Sequence, residues 1–321
     1  MIVITGAAGF IGSCLGARLN EAREGPLVLV DDFMRGDKQK NLERLAGHPR
    51  VHRDEFFDWL HIHHKEIRFV FHLGARTDTT EMDEALLNRL NQQFSLGMWQ
   101  ACTELGIPLV YASSAATYGD GQQGFDDDPM KIEGLQPLNP YGWSKHRVDL
   151  YTTRATTTPP LWAGLKFFNV YGPNEYHKAR MASVVFHAHR QIKSDGYLRL
   201  FRSYRPEIPD GQQMRDFIYV EDVLDVCLWM LRHPFPAGIY NLGSGNPASF
   251  NELAEAIFRA MNRPIRIEYI DMPAGLAERY QYYTSAPMQR LRRAGYTREF
   301  TPVRDGVEQY VKTYLNVGGY R

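Results

Sequence analysis

The chain has 321 residues, 44% hydrophobic and 23% charged, which is enough apolar material for one large globular domain or two lobes sharing a cleft. Lys plus Arg and Asp plus Glu both number 37, so the formal net charge is zero and gives no reason to expect nucleic acid or an anionic membrane as a partner. Three widely spaced cysteines in apolar stretches, Cys14, Cys102 and Cys227, argue against a disulfide framework and show no metal-ligand spacing, so no metal is expected.

Met1 leads straight into Ile2-Val3-Ile4, without a charged leader or cleavage site, and no apolar run reaches the length of a membrane span. A cytoplasmic location is expected. Short β-branched runs predict strands at Ile2–Thr5, Leu27–Val30, Phe69–His72, Leu109–Ser113 and Leu165–Asn169. Amphipathic stretches between them predict helices over Gly12–Asn20, Glu84–Glu104 and Tyr141–Arg154. Beyond a long loop at Arg202–Gln213, a strand at Phe217–Val220 and a helix at Val223–Leu231 are expected. A helix at Asn251–Met261, a strand at Ile265–Ile270 and a final helix near Val303–Leu315 follow. Alternating strand and helix implies an α/β fold, a Rossmann-type doubly wound parallel sheet with a smaller C-terminal α/β substrate lobe. The expected division is a dinucleotide domain over 1–168, joined by 215–245, and a substrate lobe built from 169–214 and 246–321.

The first strand runs into Gly6-Ala7-Ala8-Gly9-Phe10-Ile11-Gly12, a GxxGxxG turn that opens a helix. Glycines there let the backbone approach a pyrophosphate at the helix N-terminus. A glycine-rich turn alone is weak evidence, but its place between strand and helix makes a dinucleotide site the stronger reading. Asp31 and Asp32, at the end of the second strand, suit a ribose 2′-hydroxyl and hence NAD. Arg35, Lys38 and Arg53 suit the 2′-phosphate of NADP, although alone they read as a solvated loop. The residues leave the coenzyme open.

Tyr141 and Lys145 stand at i and i+4 on a predicted helix, so phenol and ammonium share one face, where the cation is expected to lower the phenol's pKa. A phenolate so placed takes a proton from a substrate hydroxyl. The strand Val110-Tyr111-Ala112-Ser113-Ser114 ends in hydroxyls, and Ser114 is expected to hydrogen-bond the substrate oxygen. Glycine turn, serine and Tyr-x-x-x-Lys in that order form a joint signal far stronger than any one of them.

With these residues the chain resembles the extended short-chain dehydrogenases, and within them the ADP-L-glycero-D-manno-heptose 6-epimerase family over essentially its whole length. The resemblance rests on Tyr111-Ala-Ser-Ser-Ala-Ala-Thr-Tyr-Gly119, Leu138-Asn-Pro-Tyr-Gly-Trp-Ser-Lys145, Phe167-Phe-Asn-Val-Tyr-Gly-Pro173, His177-Lys178 with Met181-Ala-Ser-Val184, and Arg215-Asp-Phe217. It implies NADP as coenzyme and epimerisation at C6″ of an ADP-heptose through a transient ketone, with Tyr141 and Lys178 serving two substrate orientations. It implies coenzyme contacts from Leu73, Gly74, Ala75, Asn91, Lys145, Val170 and Lys178. Asn169, Arg180, His187, Phe201, Arg215 and Tyr280, with Ser114, are implied around the ADP-sugar. It further implies a homo-oligomer, a pentamer in that family, and a role in lipopolysaccharide core precursors. Without the resemblance Lys178 reads as a solvated lysine. Three departures stand out: Leu73 and Arg180 replace residues that are polar or serine in some members, and Arg76-Thr77-Asp78 replaces a small Cys-Ser-Ser-like run.

Rival readings are a UDP-hexose 4-epimerase, a 4,6-dehydratase or a non-catalytic NADP-binding sensor. Ala115 and Ala116 stand where dehydratases carry an acidic pair, against dehydration. Retention of both Tyr141 and Lys145 argues against a sensor.

Overall fold

The computed structural model describes residues 1–273, 275 and 280–321. In chain order the first half gives β1 (Ile2–Thr5), α1 (Phe10–Glu21), β2 (Leu27–Asp31), β3 (Arg50–His52), α2 (Phe56–His63), β4 (Phe69–His72), α3 (Glu84–Leu87), α4 (Phe94–Glu104), β5 (Leu109–Ser114), α5 (Pro140–Arg154) and β6 (Trp162–Phe167). The second half adds β7 (Asn169–Tyr171), α6 (Val184–Asp195), β8 (Leu198–Phe201), β9 (Met214–Arg215), β10 (Phe217–Tyr219), α7 (Val220–Arg232) and β11 (Gly238–Leu242). It ends with β12 (Ala248–Ser249), α8 (Phe250–Ala260), β13 (Ile267–Ile270), α9 (Gln289–Arg293) and α10 (Val303–Tyr310).

Seven strands form one all-parallel sheet in the order β11-β6-β5-β4-β1-β2-β3. Its central strands β1, β2 and β4 are apolar up to a polar residue at each carboxyl end, Thr5, Asp31 and His72, because both faces are covered. Ile2, Ile4, Leu27, Leu29, Phe69 and Phe71 pack into one layer, while Val3, Val28, Val30 and Val70 alternate into the other. The strand order reverses between β1 and β4, so the loops leaving these two strands diverge and open a crevice at their carboxyl ends. This is the doubly wound arrangement expected. Three two-stranded pairs, β10 with β7, β12 with β9 and β13 with β8, lie outside the main sheet. Among them α8 starts at a capping box, with Ser249 and Glu252 exchanging side-chain and backbone hydrogen bonds.

Several predicted elements shift, and two of them bear on the site. The strand placed at Leu165–Asn169 is two strands, β6 and β7, with Phe168 as the joint: its N–H bonds Leu242 O at 3.0 Å, while Asn169 N bonds Asp216 O. The helix predicted over Glu84–Glu104 is continuous but widens into a π turn at Asn88–Gln93. Among the described residues no helix is long and apolar enough to cross a membrane.

Candidate active site

The crevice at the strand reversal is a cavity of about 950 Å³, at the upper end of the range for small-molecule sites. Its floor is the glycine turn. A Cβ on Gly6 would lie 2.7 Å from Gly74 Cα, so the closeness of the two loops requires glycine there, and one on Gly12 would lie 2.1 Å from Gly6 O, so the tightness of the turn itself requires the other. Helix α1 begins with Gly9 as its cap, without a side-chain acceptor and without an acidic residue in its first turn. Its first N–H groups are therefore left for an anion, and the turn fits a dinucleotide pyrophosphate. Gly6, Gly9, Phe10, Ile11, Gly12, Leu73, Gly74 and Ala75 all line the cavity.

At the far end of β2, Asp31 accepts from Ala8 N at 2.9 Å and Asp32 N at 2.7 Å, and pairs with Lys38 at 3.2 Å. Asp32 faces Arg53 at 3.5 Å. Asp31, Asp32, Arg35, Lys38 and Arg53 thus share one wall. Where β1 and β4 end, Gly74 N–H donates to Thr5 Oγ1 at 3.0 Å, and the same hydroxyl is hydrogen-bonded to His72 Nδ1 at 2.7 Å. Burial depresses the His72 pKa to about 3, so this ring is a neutral tie between strand ends and not an acid–base group.

Helix α5 starts at Asn139, whose Oδ1 accepts from Gly142 N at 2.8 Å, with Pro140 in the first turn. This cap fixes Tyr141 in the cavity wall near Ser114, the last residue of β5. One turn on, Lys145 donates to Ala112 O at 2.9 Å. The expected lowering of the phenol by the lysine is not what these surroundings produce. Burial pushes Tyr141 above the ordinary phenol value, with the Ser114 hydroxyl opposing, and burial brings Lys145 down to about 8, with Asp149 opposing. Both groups are desolvated together, so each is driven toward its neutral form.

The opposite wall comes from β7 and the short 3₁₀ segment Tyr176–Met181. It presents Asn169, Val170 and Lys178 to the same cavity as Tyr141 and Ser114. Lys178 Nζ reaches Thr77 Oγ1 at 3.4 Å. Burial lowers its pKa, Glu175 opposing and Lys38 reinforcing. Arg180 lies on the rim, its guanidinium on Asp78 at 3.0 Å and Thr80 at 2.5 Å. The departures at 76–78 and at 180 are therefore one feature, an ion pair across the cavity.

Other expected residues fall elsewhere. Asn91 does not line the cavity; fully buried in the π turn, it bonds both Arg76 N and Arg76 O and donates to Ser144 Oγ, so it braces the cavity wall from behind. His187 is exposed on α6, its ring edge-on to Phe186. Phe201, Arg215 and Tyr280 gather in a second cluster. Arg215 Cζ lies 5.2 Å from the Tyr280 ring centre and 5.7 Å from that of Phe250, and Phe201 stands edge-on to Tyr280. Phe250 also packs on Phe217, which lines the cavity, so the cluster adjoins it. Residues not singled out from the sequence include Thr5 and Glu175. The latter is a fully buried cavity-wall carboxylate, and a lone acid in a Gly-Pro-Asn-Glu loop gave no signal for it.

Residues 2–243 match the NAD dependent epimerase/dehydratase family. The chain belongs to that family. It is 46% identical over 318 residues to an ADP-L-glycero-D-manno-heptose-6-epimerase of Nitratidesulfovibrio vulgaris, covering 98% of each chain. It is 42% identical over 325 residues to the protein of that name from Fusobacterium nucleatum, again covering 98% of each. Among solved structures, the Helicobacter pylori ADP-L-glycero-D-manno-heptose-6-epimerase superposes with a TM-score of 0.80 at 25% identity, over 97% of this chain and 95% of that one. A UDP-glucuronic acid 4-epimerase from Bacillus cereus, in complex with UDP-glucuronic acid and NAD, shares the fold with a TM-score of 0.77 at 22% identity, over 99% of each chain. The epimerase/dehydratase family is thus the setting for the cavity, and a nicotinamide coenzyme is its resident group.

Proposed function

We propose that this family member epimerises C6″ of ADP-D-glycero-D-manno-heptose to give ADP-L-glycero-D-manno-heptose, with NADP held throughout the cycle. One observation carries the reading: Tyr141 and Lys178, from opposite walls, line one cavity together. The near-full-length likeness to curated heptose epimerases supports the substrate.

When bound, the nicotinamide supplies a hydride acceptor and then a hydride donor. The glycine turn and the α1 N-terminus would hold the pyrophosphate, and Leu73, Gly74, Ala75 and Val170 the rest of the coenzyme. Tyr141 takes the proton of the C6″ hydroxyl in one sugar orientation and Lys178 in the other, each returning a proton when the ketone is reduced. Ser114 hydrogen-bonds the substrate oxygen. Lys145, one turn along α5 and fixed by Ala112 O, has a pKa of about 8 that leaves it mostly protonated near pH 7, and its role is to counter the burial of Tyr141 and favour the phenolate that accepts the proton. Arg215, with Phe201 and Tyr280, offers a guanidinium and aromatic faces to the ADP group. Arg180 is assigned to the rim, since Asp78 already engages its guanidinium.

The test is incubation of the protein with a panel of ADP- and UDP-sugars, with product configuration read by NMR. Interconversion of the two ADP-heptose epimers, lost in Tyr141→Phe/Lys178→Met with coenzyme still bound, is expected. Turnover of a UDP-hexose instead, or full activity of the double variant, overturns the assignment.

A further inference from the structure

Segment 175–183, which carries Lys178, is held at both ends. At its base Glu175 accepts from the Ser183 hydroxyl at 2.7 Å, from Ser183 N, and from Tyr310 OH at 3.0 Å, which pins the loop's start to its finish. At its tip Ala179 takes φ 47° and ψ −125°, a conformation that an alanine rarely adopts without outside constraint. The next residue, Arg180, reaches across the cavity and bonds Asp78 and Thr80.

Asp78 sits on a firm mount. Its Oδ1 accepts from Thr80 N at 3.0 Å and Thr80 Oγ1 at 2.8 Å, and its Oδ2 lies 3.7 Å from Arg76. Arg76 is fixed in turn by Asn91 through its backbone and by Glu81 at 3.0 Å through its guanidinium. The Asp78 side chain is 14% exposed, whereas that of Arg180 is 69% exposed. The carboxylate is therefore the fixed half of the pair and the arginine the half that is drawn in. Next to Asp78, Thr77 Oγ1 touches Lys178 Nζ at 3.4 Å, so the same short stretch meets both the lysine and the arginine that flank Ala179.

We propose that Asp78 is a positioning residue: acting through Arg180 across the cavity mouth, it holds the strained Ala179 backbone and so fixes the amine of Lys178 at the reacting carbon. The proposal rests on the assignment of Lys178 as the second acid–base group.

Asp78→Ala and Arg180→Met are compared with the parent enzyme, the double variant and Lys178→Met. Displacing a reacting group by about 1 Å lowers turnover on the order of a hundredfold, so each single variant is expected to lose roughly ten- to a hundredfold in kcat with KM nearly unchanged. The double variant should be no worse than the worse single one, because both remove one tie. Amide hydrogen exchange should speed up over residues 176–182. Transient formation of reduced coenzyme, followed by its absorbance, should slow with only one of the two epimers, whereas general damage to the fold would slow both. Arg180 is exposed, so Arg180→Met keeps the test alive should Asp78→Ala fold poorly. Full turnover by both single variants, or equal slowing with both epimers, overturns the proposal while an inactive Lys178→Met leaves the two-base assignment standing. A fully active Lys178→Met removes that assignment and the proposal with it.

Discussion

Gly6 and Gly74 face each other at the strand reversal so closely that a Cβ on Gly6 would lie 2.7 Å from Gly74 Cα and 2.8 Å from Gly74 N. Gly6 also has φ +68°, which any other residue adopts at a cost. Strain and overlap act together, so Gly6→Ala is expected to lose about 3 kcal/mol of stability. Because the overlap is with backbone, relief requires the two loops to part, which widens the pyrophosphate cradle. The purified variant should carry less coenzyme, measured by its release on denaturation. A variant that melts with the parent and retains full coenzyme would contradict this account.

Lys145 couples stability to pH. Its ordinary pKa near 10.5 falls to about 8 in the folded protein because burial disfavours the ammonium. A folded-state pKa below the unfolded one means that folding works against the charge at pH below about 8, and that this penalty fades as pH rises from 8 toward 10.5. The shift corresponds to roughly 3 kcal/mol at neutral pH, reduced by about 1 kcal/mol for the Ala112 carbonyl that Lys145→Met leaves without its donor. Lys145→Met should therefore be more stable than the parent by about 2 kcal/mol near pH 7, be inactive, and lose its advantage toward pH 10. Denaturant melts across that range decide it. A gain that grows with pH would reverse the sign and refute the argument.

Local patterns made the centre of this site readable. The glycine turn, the strand ends at β1 and β4 and the Tyr141–Lys145 helix each depend on residues within a few positions of one another, and all three appear where the spacing predicts. What escaped was non-local. The strand at Gly238–Leu242 is short and proline-flanked, and it extends the sheet by pairing with residues some 75 positions earlier. The pairing of Arg180 with Asp78 spans 102 residues, so two separate oddities in the sequence gave no hint that each answers the other. The elevated phenol of Tyr141 was misjudged because spacing reports which groups share a face, whereas burial, which decides the shift, is set by the surrounding walls.

Behind Ser114, Lys166 and Asp149 form an ion pair at 2.8 Å with both side chains fully buried. Asp149 also accepts from Tyr111 and Ser113, and Lys166 donates to Thr117 while facing the Tyr118 ring. Removing one partner strands the other, so Lys166→Met should cost about 3–5 kcal/mol. Lys166→Met/Asp149→Asn should recover part of that loss, since the amide oxygen still accepts and no carboxylate is left without its lysine; the part not recovered reflects Lys145, whose ammonium Asp149 favours. Chemical denaturation midpoints of the parent, Lys166→Met, Asp149→Asn and the double variant test this, and additive losses would show that the two residues act independently.

The proposed use of NADP predicts that coenzyme choice turns on Lys38. Asp31 is nearly buried, and its Oδ1 lies 3.2 Å from Lys38 Nζ, so the cation offsets the charge that would repel a 2′-phosphate. Arg35 and Arg53 share the wall, but each already faces an aspartate of its own, Asp37 and Asp32. Lys38→Ala leaves the Asp31 carboxylate to its backbone donors alone, a state suited to accept a ribose 2′-hydroxyl and hostile to a phosphate. A charge-assisted contact contributes about 1.5–3 kcal/mol, so the ratio of NADP affinity to NAD affinity should fall by roughly ten- to a hundredfold. Titration of coenzyme-stripped protein with each dinucleotide measures the ratio. If Lys38→Ala weakens NADP and NAD equally, the lysine orders the loop and does not discriminate between the two.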